Sequence, residues 1–292
     1  MNPDGISLQF LAATQNILSD IIQSDGPAMF EPCLAEALAD LERFSLIFRP
    51  DSNLIRIHRL VQSVIKDQMT MDELDKHQKL VCQVGLSAFP NFDYTMRTTC
   101  RKYEGEIVAI ISEIAKIKSE DTARLMGRVG RYFWQDGKAS EAAPLLSSAC
   151  NAFKIAKGGD DLDTLWTMGN LAVSYKLLGK VKEAAGMEEK VWEARRRILG
   201  EEHPDTLLTM GNLANSYRSM GNVKEAAEME EKVMEARRRM LGEEHPDILK
   251  TVGNLANSYW SLGNVKEAAE IEEKVLKVRT RLLREVRAEQ EK

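Results

Sequence analysis

The side chains best suited to chemistry in this sequence are aromatic, basic and amide residues that recur at a spacing of 42 positions. These residue types suit binding, because aromatic and guanidinium groups can each contribute about 2 kcal/mol or more at an interaction hot spot and amides hydrogen-bond a peptide backbone. The predicted binding residues are Arg131, Trp134, Trp166, Lys176, Leu208, Asn215, Arg218, Lys250, Asn257 and Trp260. Together they predict a basic trough for an acidic or mixed acidic and hydrophobic peptide.

The remaining polar residues do not support catalysis or metal binding. No nucleophile is paired with a base, and no carboxylate pair recurs outside the helical salt-bridge pattern. The four cysteines are scattered, without a CxxC pair, which disfavours a zinc site or a disulfide framework and favours reduced thiols. The sequence contains no GxxxxGK[ST] string, so we predict no phosphate-binding loop. We therefore expect neither an enzyme nor a bound cofactor or metal.

Composition narrows the class of protein further. The chain has 292 residues, of which 43% are hydrophobic and 29% charged, and its formal net charge is −5. This balance offers no global attraction for nucleic acid or an anionic membrane, and no apolar run approaches the roughly 18 residues of a membrane span. The N-terminal segment has no basic region ahead of an apolar core, so we expect no secretory signal. A cytoplasmic protein is expected.

The predicted binding residues lie in an internal repeat in the C-terminal half of the chain. Residues 206–241 and 248–283 are identical at 25 of 36 aligned positions, a third copy occupies 164–199, and a weaker copy begins at Thr122. Repeats of this length indicate helical units that must stack to bury their apolar faces. We predict repeats at about 122–163, 164–205, 206–247 and 248–283, and a charged helix end after them.

Each repeat is predicted to contain two helices, called A and B below, with one apolar stripe on each. Gly221 is placed to end helix A, because glycine readily adopts positive φ just past a helix. Pro246 is placed at the start of the next A helix, where its missing N–H costs little. A further glycine recurs inside helix A despite a cost of about 1 kcal/mol each, and we expect it to permit close helix approach. These residues are Gly127, Gly169, Gly211 and Gly253.

Several of these positions carry a family resemblance. The A-helix residues Leu213, Ala214 and Tyr217, the turn glycine and Ala226 of helix B resemble the tetratricopeptide pattern. The 42-residue length and the string LGEEHPDTL at 199–207 resemble the kinesin-light-chain-type variant, and the longer repeat text resembles the C-terminal repeats of fungal STAND, or NLR-like, proteins. The resemblance implies an all-α, right-handed superhelical solenoid that binds peptides or partner proteins on the concave face lined by the A helices.

Helix B departs from the standard tetratricopeptide pattern at one place. It has Glu188, Glu230 and Glu272 where an aromatic residue is common. Within helix A, the last two copies differ in chemical character at few positions, and most of those belong to the predicted trough. The changes are Thr206 to Ile248, Leu208 to Lys250 and Arg218 to Trp260. A maintained scaffold with a varied lining is typical of a binding surface, although drift at exposed positions would give a similar pattern.

The first 70 residues resemble a small winged helix with one short β-hairpin. We predict a helix over 8–23, a helix Ala35–Arg43, strands Ser45–Phe48 and Leu54–Ile57, and a helix Arg59–Met69. The string IHRLVQ at 57–62 is similar to the element that closes this domain in NB-ARC and NACHT ATPases. That resemblance implies phosphate contact by His58 only if a nucleotide-binding domain is present, and we otherwise interpret His58 as a packing residue. The candidate recognition helix, Glu31–Arg43, carries four acidic residues and one arginine, which disfavours DNA binding.

Residues 71–120 are predicted to be a helical linker. Thr70 and Glu73 form a candidate capping box for a helix that ends near Leu86. A second helix is predicted over about 95–117, and the polar segment 115–120 is the expected joint before the repeats.

The leading hypothesis is a non-catalytic protein-interaction scaffold, the ligand-sensing part of a STAND-like signalling protein. A kinesin-light-chain-like cargo adaptor is one alternative, although residues 1–120 contain no heptad coiled coil. A second alternative is the sensor of a nucleotide-dependent switch whose ATPase domain lies upstream or on another chain. Self-association is a further alternative.

Overall fold

The computed structural model describes residues 5–13, 27–44, 46–51, 54–57, 64–65, 67–89, 94–114, 119–242 and 245–290. The chain forms two compact units, Met1–Asp161 and Leu162–Lys292. Among the described helices, none combines the length and apolar character that a membrane span requires.

The first unit begins with a small antiparallel sheet. Its strands are β1 (Gly5–Ser7), β2 (Ile47–Asp51) and β3 (Leu54–Ile57), in the order β1-β3-β2. Strand β2 begins two residues later and ends three residues later than the predicted strand Ser45–Phe48, and it includes Pro50. Because β2 lies at the edge of the sheet, a residue without an N–H is tolerated there, and the pairing is irregular between Phe48 and Asp51. The sequence did not predict β1.

Two helices accompany this sheet, α1 (Leu8–Ala13) and α2 (Pro27–Arg43). Helix α2 begins earlier than predicted, at a proline, which is favoured at the first helical position. A small core joins Leu38 of α2 to Ile47 and Ile55 of the sheet. His58 and most of the predicted helix Arg59–Met69 lie outside the described residues, so the winged helix stays a prediction.

The linker contains more helices than expected. Helix α3 (Met71–Ala88) starts at the predicted capping box, in which the Glu73 N–H donates to Thr70 Oγ1 at 3.3 Å and the Thr70 N–H donates to Glu73 Oε2 at 2.8 Å. A 3₁₀ turn (Tyr94–Met96), α4 (Arg97–Lys102) and α5 (Glu104–Ile114) replace the single helix predicted over about 95–117. The break falls at buried Tyr103, whose ring packs edge-on against Phe10 at 5.5 Å.

The first predicted repeat consists of α6 (Glu120–Gln135) and α7 (Ala139–Lys157) in the first unit. Its core is aromatic and aliphatic, with Phe89, Tyr132 and Leu146 fully buried. The Tyr132 hydroxyl donates to Glu104 Oε2 at 2.7 Å, and Lys138 Nζ lies 2.6 Å from Glu104 Oε1. These contacts anchor α6 and its turn to α5.

The second unit contains three further helix pairs. They are α8 (Leu162–Leu177) with α9 (Val181–Leu199), α10 (Pro204–Ser219) with α11 (Val223–Leu241), and α12 (Pro246–Leu262) with α13 (Val265–Gln290). Each helix packs against the next in chain order. The expected all-α architecture of stacked tetratricopeptide-type pairs is therefore confirmed, and α8, α10 and α12 are A helices while α9, α11 and α13 are B helices.

The turns and connectors agree with the sequence. Gly221, between α10 and α11, has φ +89°, and Gly200, after α9, has φ +94°. Pro204 and Pro246 begin α10 and α12. His203 caps α10, with its Nδ1 accepting from the Asp205 N–H at 3.1 Å. The predicted turn glycine Gly221 and the predicted helix start at Pro246 are therefore confirmed.

Candidate binding surface and the seams between repeats

Two B-helix glutamates are buried where one repeat meets the next. Glu188 and Glu230 are each 1% exposed. Glu188 lies 2.8 Å from Lys176 Nζ of its own repeat and accepts from Ser216 Oγ of the next repeat at 2.5 Å. A buried carboxylate needs such partners, because desolvation otherwise costs several kcal/mol. The acidic substitution noted in the sequence thus has a hydrogen bond from a hydroxyl to one carboxylate oxygen and an ion pair with a lysine at the other, although the ion-paired oxygen Oε1 has no hydrogen bond of good geometry.

Glu230 repeats the arrangement one step further along the chain. It accepts from Ser258 Oγ at 2.6 Å, and Arg218 Nη1 lies 3.3 Å from its other oxygen. Burial raises the pKa of Glu230, and the bonds from Ser258 and Arg218 counteract this only in part. We call these two sets of contacting residues the seams. The first seam consists of Lys176, Glu188 and Ser216, and the second of Arg218, Glu230 and Ser258.

The cations of the seams also reach the following A helix. Lys176 Nζ donates to the Asn212 carbonyl oxygen at 3.2 Å. Arg218 Nη1 donates to the Asn254 carbonyl oxygen at 2.8 Å, and its Nη2 donates to Asn215 Oδ1 at 2.7 Å. Both cations therefore join neighbouring repeats.

A second row of contacts runs beside each seam. The hydroxyls of Tyr217 and Tyr259 donate to Glu189 and Glu231 at 2.8 and 2.6 Å. The bond to Glu231, followed by burial, raises the pKa of Tyr259 to about 12. These tyrosines are therefore protonated donors at neutral pH.

A buried arginine adds a third contact. Arg195 Nη1 donates to Thr209 Oγ1 at 2.8 Å, and Arg237 Nη1 donates to Thr251 Oγ1 at 2.6 Å. The A helices α10 and α12 thus each present a Thr-x6-Ser-Tyr pattern to the B helix before them.

Sequence reasoning placed Lys176 and Arg218 in the binding trough and missed their role in the seams. A cation twelve residues before each buried glutamate, and a serine 28 residues after it, were the available signals. Because both charges are compensated by glutamate, they contribute less basic character to this surface than their residue types suggest.

The other predicted residues of the second unit are more accessible. Leu208 is 46% exposed and Trp260 is 42% exposed, while Lys250 and Asn257 are also exposed. Trp260 Nε1 donates to Glu272 Oε1 at 3.1 Å. Asn215 is half-buried and donates to the Gly211 carbonyl oxygen at 3.0 Å.

The remaining predicted residues are half-buried. Trp166 lies on α8 of the second unit, whereas Arg131 and Trp134 lie on α6 of the first unit. The second unit therefore contains all of the predicted binding residues except Arg131 and Trp134, which lie in the first unit.

The A-helix glycines are a correction to the sequence interpretation. A Cβ built on Gly169, Gly211 or Gly253 would meet no atom within 4 Å. Close helix approach therefore does not explain these three glycines. Gly211 lies three residues after Leu208 and four before Asn215, so it shares their helical stripe. We call the stripe of these glycines, with Trp166, Leu208, Asn215, Lys250 and Asn257, the A-helix surface.

Family models match two regions of the chain. Residues 164–205, 206–247 and 249–284 match the model described as Tetratricopeptide repeat. Residues 1–74 match the model described as Domain of unknown function (DUF7779). No curated protein matches the chain. The chain therefore carries tetratricopeptide repeats, a typically non-catalytic type of repeat that suggests a protein-interaction scaffold.

Solved structures share this fold at low sequence identity. A crystal structure of a Podosopora anserina putative kinesin light chain with nearly identical TPR-like repeats has 24% identity and a TM-score of 0.57, covering 72% of this chain and 96% of that one. BtubC (BKLC) from P. vanneervenii has 17% identity and a TM-score of 0.56, with coverages of 76% and 86%. Aspartyl phosphate phosphatase F from Bacillus subtilis has 13% identity and a TM-score of 0.52, with coverages of 94% and 71%. These likenesses concern the fold.

Proposed function

We propose that this chain is a protein-interaction scaffold whose A-helix surface binds a peptide segment of a partner protein. The observation that carries the proposal is the row of glycines at Gly169, Gly211 and Gly253, which have open space above them. A glycine inside a helix costs about 0.5–1 kcal/mol relative to alanine. No neighbouring atom requires a residue as small as glycine at these positions. The open space above the helix is therefore the best explanation for why glycine recurs there.

The surroundings of this row suit a peptide. Leu208 offers an exposed apolar contact beside Gly211, and Asn257 offers an exposed amide beside Gly253. A glycine lets the backbone of a bound peptide approach the helix closely, and a neighbouring side-chain amide can hydrogen-bond that backbone. The partner is therefore a segment with apolar side chains and accessible backbone.

The acidic preference predicted from the sequence now depends on fewer cations. Lys250 is exposed on the A-helix surface, whereas Lys176 and Arg218 are paired with glutamates in the seams. We propose a mainly apolar peptide with an acidic residue near Lys250. Lys250→Glu should weaken an acidic binder more than a neutral one.

A peptide screen with targeted variants tests the proposal. The full chain is screened against an array of short peptides of varied sequence, and the strongest binder is titrated by fluorescence anisotropy. Gly211→Leu fills the open space above α10, so we expect its Kd to rise at least about tenfold, a loss of about 1.4 kcal/mol. Circular dichroism should show an intact helical fold, because a Cβ at this position meets no atom within 4 Å and the rest of the side chain can extend into the open space.

The matched control is Lys232→Ala on helix α11. Lys232 is exposed and lies outside the A-helix surface, so its Kd should stay within about twofold of wild type. Binding that survives Gly211→Leu, or an array in which no peptide binds, would contradict the proposal.

We further propose that the scaffold is the ligand-sensing part of a STAND-like signalling protein. The support is the resemblance of residues 1–70 to a winged helix that ends in IHRLVQ, which precedes the repeats in the same order as in that class. An in-frame GxxxxGK[ST] motif upstream of Met1, or on a protein that co-purifies with the chain, is the expected finding. A kinesin-light-chain-type heptad coiled coil upstream would contradict it.

A further inference from the structure

The B helices of the second unit differ in how much of one face is covered. On α9 and α11, the alanines Ala185 and Ala227 are 3% and 4% exposed, and the glutamates Glu188 and Glu230 are 1% exposed. The next A helix in the chain packs on each of them, α10 on α9 and α12 on α11. The structure therefore shows in two places that the following A helix covers this face of a B helix.

The equivalent face of α13 is open. Val265 and Leu276 are 52% and 65% exposed, and Ala269, Glu272 and Glu273 are exposed as well. These residues fall at i, i+4, i+7, i+8 and i+11, so they form one helical stripe. A depression of about 650 Å³ is lined by Val265, Ala269 and Glu273 among others. We call these five residues the terminal face.

The polar groups of the terminal face lack the partners of the covered seams. Glu272 accepts from Trp260 Nε1 at 3.1 Å, but within the described residues it has no serine hydroxyl of the kind bonded to Glu188 and Glu230. Glu273 pairs at 2.6 Å with Lys277 on the same helix, and both side chains are more than half exposed. An exposed pair of this kind holds its carboxylate only weakly. Both carboxylates are therefore available as acceptors.

A following repeat of the same register is disfavoured by the sequence of α13. Gly200 and Gly242 end α9 and α11 with positive φ, whereas Arg284 stands at the equivalent place of α13 and the helix runs on to Gln290. Helix α13 therefore still continues at position 288, the equivalent of Pro246, so no A helix begins there at the spacing of the earlier repeats.

We propose that the terminal face docks an A-type helix of another protein, one that carries the Thr-x6-Ser-Tyr pattern. The serine hydroxyl would donate to Glu272 and the tyrosine hydroxyl to Glu273, as Ser258 and Tyr259 do to Glu230 and Glu231. The apolar side of that helix would cover the exposed aliphatic side chains of the terminal face, as α12 covers α11. The apolar stripe is then covered, Glu272 has the Trp260 N–H and a hydroxyl where Glu230 has an arginine and a hydroxyl, and Glu273 gains a hydroxyl beside Lys277.

A second copy of this chain is not the occupant we favour. Its own A helices have this pattern buried, with Ser174, Ser216 and Ser258 each 0% exposed. Two terminal faces brought together would place glutamates opposite glutamates, which is unfavourable without compensating cations. The partner is accordingly a protein in which a helix with this pattern is exposed.

The test uses the full chain and, as a probe, a synthetic peptide with the sequence of residues 246–264. We expect saturable binding by fluorescence anisotropy. A peptide in which Ser258 is replaced by alanine and Tyr259 by phenylalanine should bind at least about tenfold more weakly, because two hydrogen bonds to carboxylates are lost. Leu276→Lys in the chain should weaken binding to a similar extent, since it places a charge in the apolar stripe.

Lys274→Glu is the matched control in the chain. Its equivalents Lys190 and Lys232 stay exposed on the covered helices, so it should change the Kd less than about twofold. Absence of binding, equal binding by the substituted peptide, or a concentration-dependent dimer abolished by Leu276→Lys would overturn the proposal. Gly211→Leu leaves the terminal face intact, so its unchanged affinity for this probe separates the result from a failure of the A-helix surface.

Discussion

The helix pair α6–α7 and the pairs of the second unit use the same repeat length but hold their helices in different ways. Where α9 and α11 have buried Glu188 and Glu230, α7 has buried Leu146. Where α8 and α10 have Lys176 and Arg218, α6 has half-buried Trp134. One repeat therefore keeps an apolar interior at a position that two later repeats make ionic.

The difference shows what each kind of contact can specify. Apolar burial is favourable but non-directional, so Leu146 accepts any neighbour of suitable shape. A seam requires a cation, a hydroxyl and a carboxylate at fixed distances, and a misplaced neighbour would leave a buried charge without partners. We infer that the seams select the register in which successive repeats stack, at some cost in stability.

The largest expected effect comes from breaking a seam. Lys176→Ala leaves Glu188 buried without its cation, so we expect the second unit to lose about 3 kcal/mol of unfolding free energy. Native-state hydrogen exchange followed by mass spectrometry would measure this loss in peptides from α8 to α11. Lys190→Ala, an exposed lysine of the same repeat, should change it by less than about 0.5 kcal/mol.

Replacing the seam by the residues of the first repeat sharpens the same comparison. The double variant Lys176→Trp and Glu188→Leu copies Trp134 and Leu146, and Ser216 keeps its bond to the Asn212 carbonyl oxygen at 3.3 Å. We expect this variant to lie within about 1–2 kcal/mol of wild type, because an apolar replacement of a buried ion pair is often neutral or stabilising. A double variant as unstable as Lys176→Ala would contradict this account.

The sequence predicted the repeats well because their signals are local. Gly221 marks the end of one helix and Pro246 marks the start of another, and the apolar stripes follow from the helical periodicity of the sequence. The capping box at Thr70 needs only three residues of separation. Features of this kind depend on neighbours along the chain, so one sequence is enough to find them.

The seams and the A-helix glycines were harder to predict because they depend on contacts between repeats. Glu230 meets Ser258, 28 residues away, and nothing local indicates that this glutamate is buried. Gly211 looked like a packing residue because glycine inside a helix usually has a steric reason, and only the space around it shows otherwise. The break at Tyr103 likewise lies against a ring distant in sequence, Phe10, which local patterns do not reveal.

The next largest effect contrasts two glycines, one from each region. A Cβ on Gly130 would lie 2.6 Å from Leu146 Cγ, so Gly130→Ala should destabilise the first unit by about 1–3 kcal/mol. A Cβ on Gly211 meets nothing, so Gly211→Ala should stabilise α10 by about 0.5–1 kcal/mol. Hydrogen exchange in peptides from α6 and α10 would measure the two changes in stability. Stability changes in the same direction for both variants would refute the contrast.

The smallest effect is a difference in pH dependence between the same two regions. At the turn after α6, burial opposes ionisation of Asp136, but hydrogen bonds from Arg101 and Arg97 outweigh it and keep the pKa of Asp136 below its ordinary value of 3.8. Its ionised form therefore stabilises the first unit above about pH 4, and this contribution is lost as the pH falls through the lowered pKa. Asp136→Asn should remove it.

Glu230 should respond to pH with the opposite sign. Its pKa in the folded chain is raised above the ordinary value of 4.5, chiefly by burial, so the folded state binds a proton more readily than the unfolded state. Its contribution to stability is therefore fully present below about pH 4.5 and is lost as the pH rises through the folded pKa. Hydrogen exchange of α11 and α12 should show wild type gaining protection relative to Glu230→Gln as the pH falls from 7 towards 4.5. A constant difference over that range would mean that Glu230 is stably ionised and that its seam is fully compensated by Arg218 and Ser258.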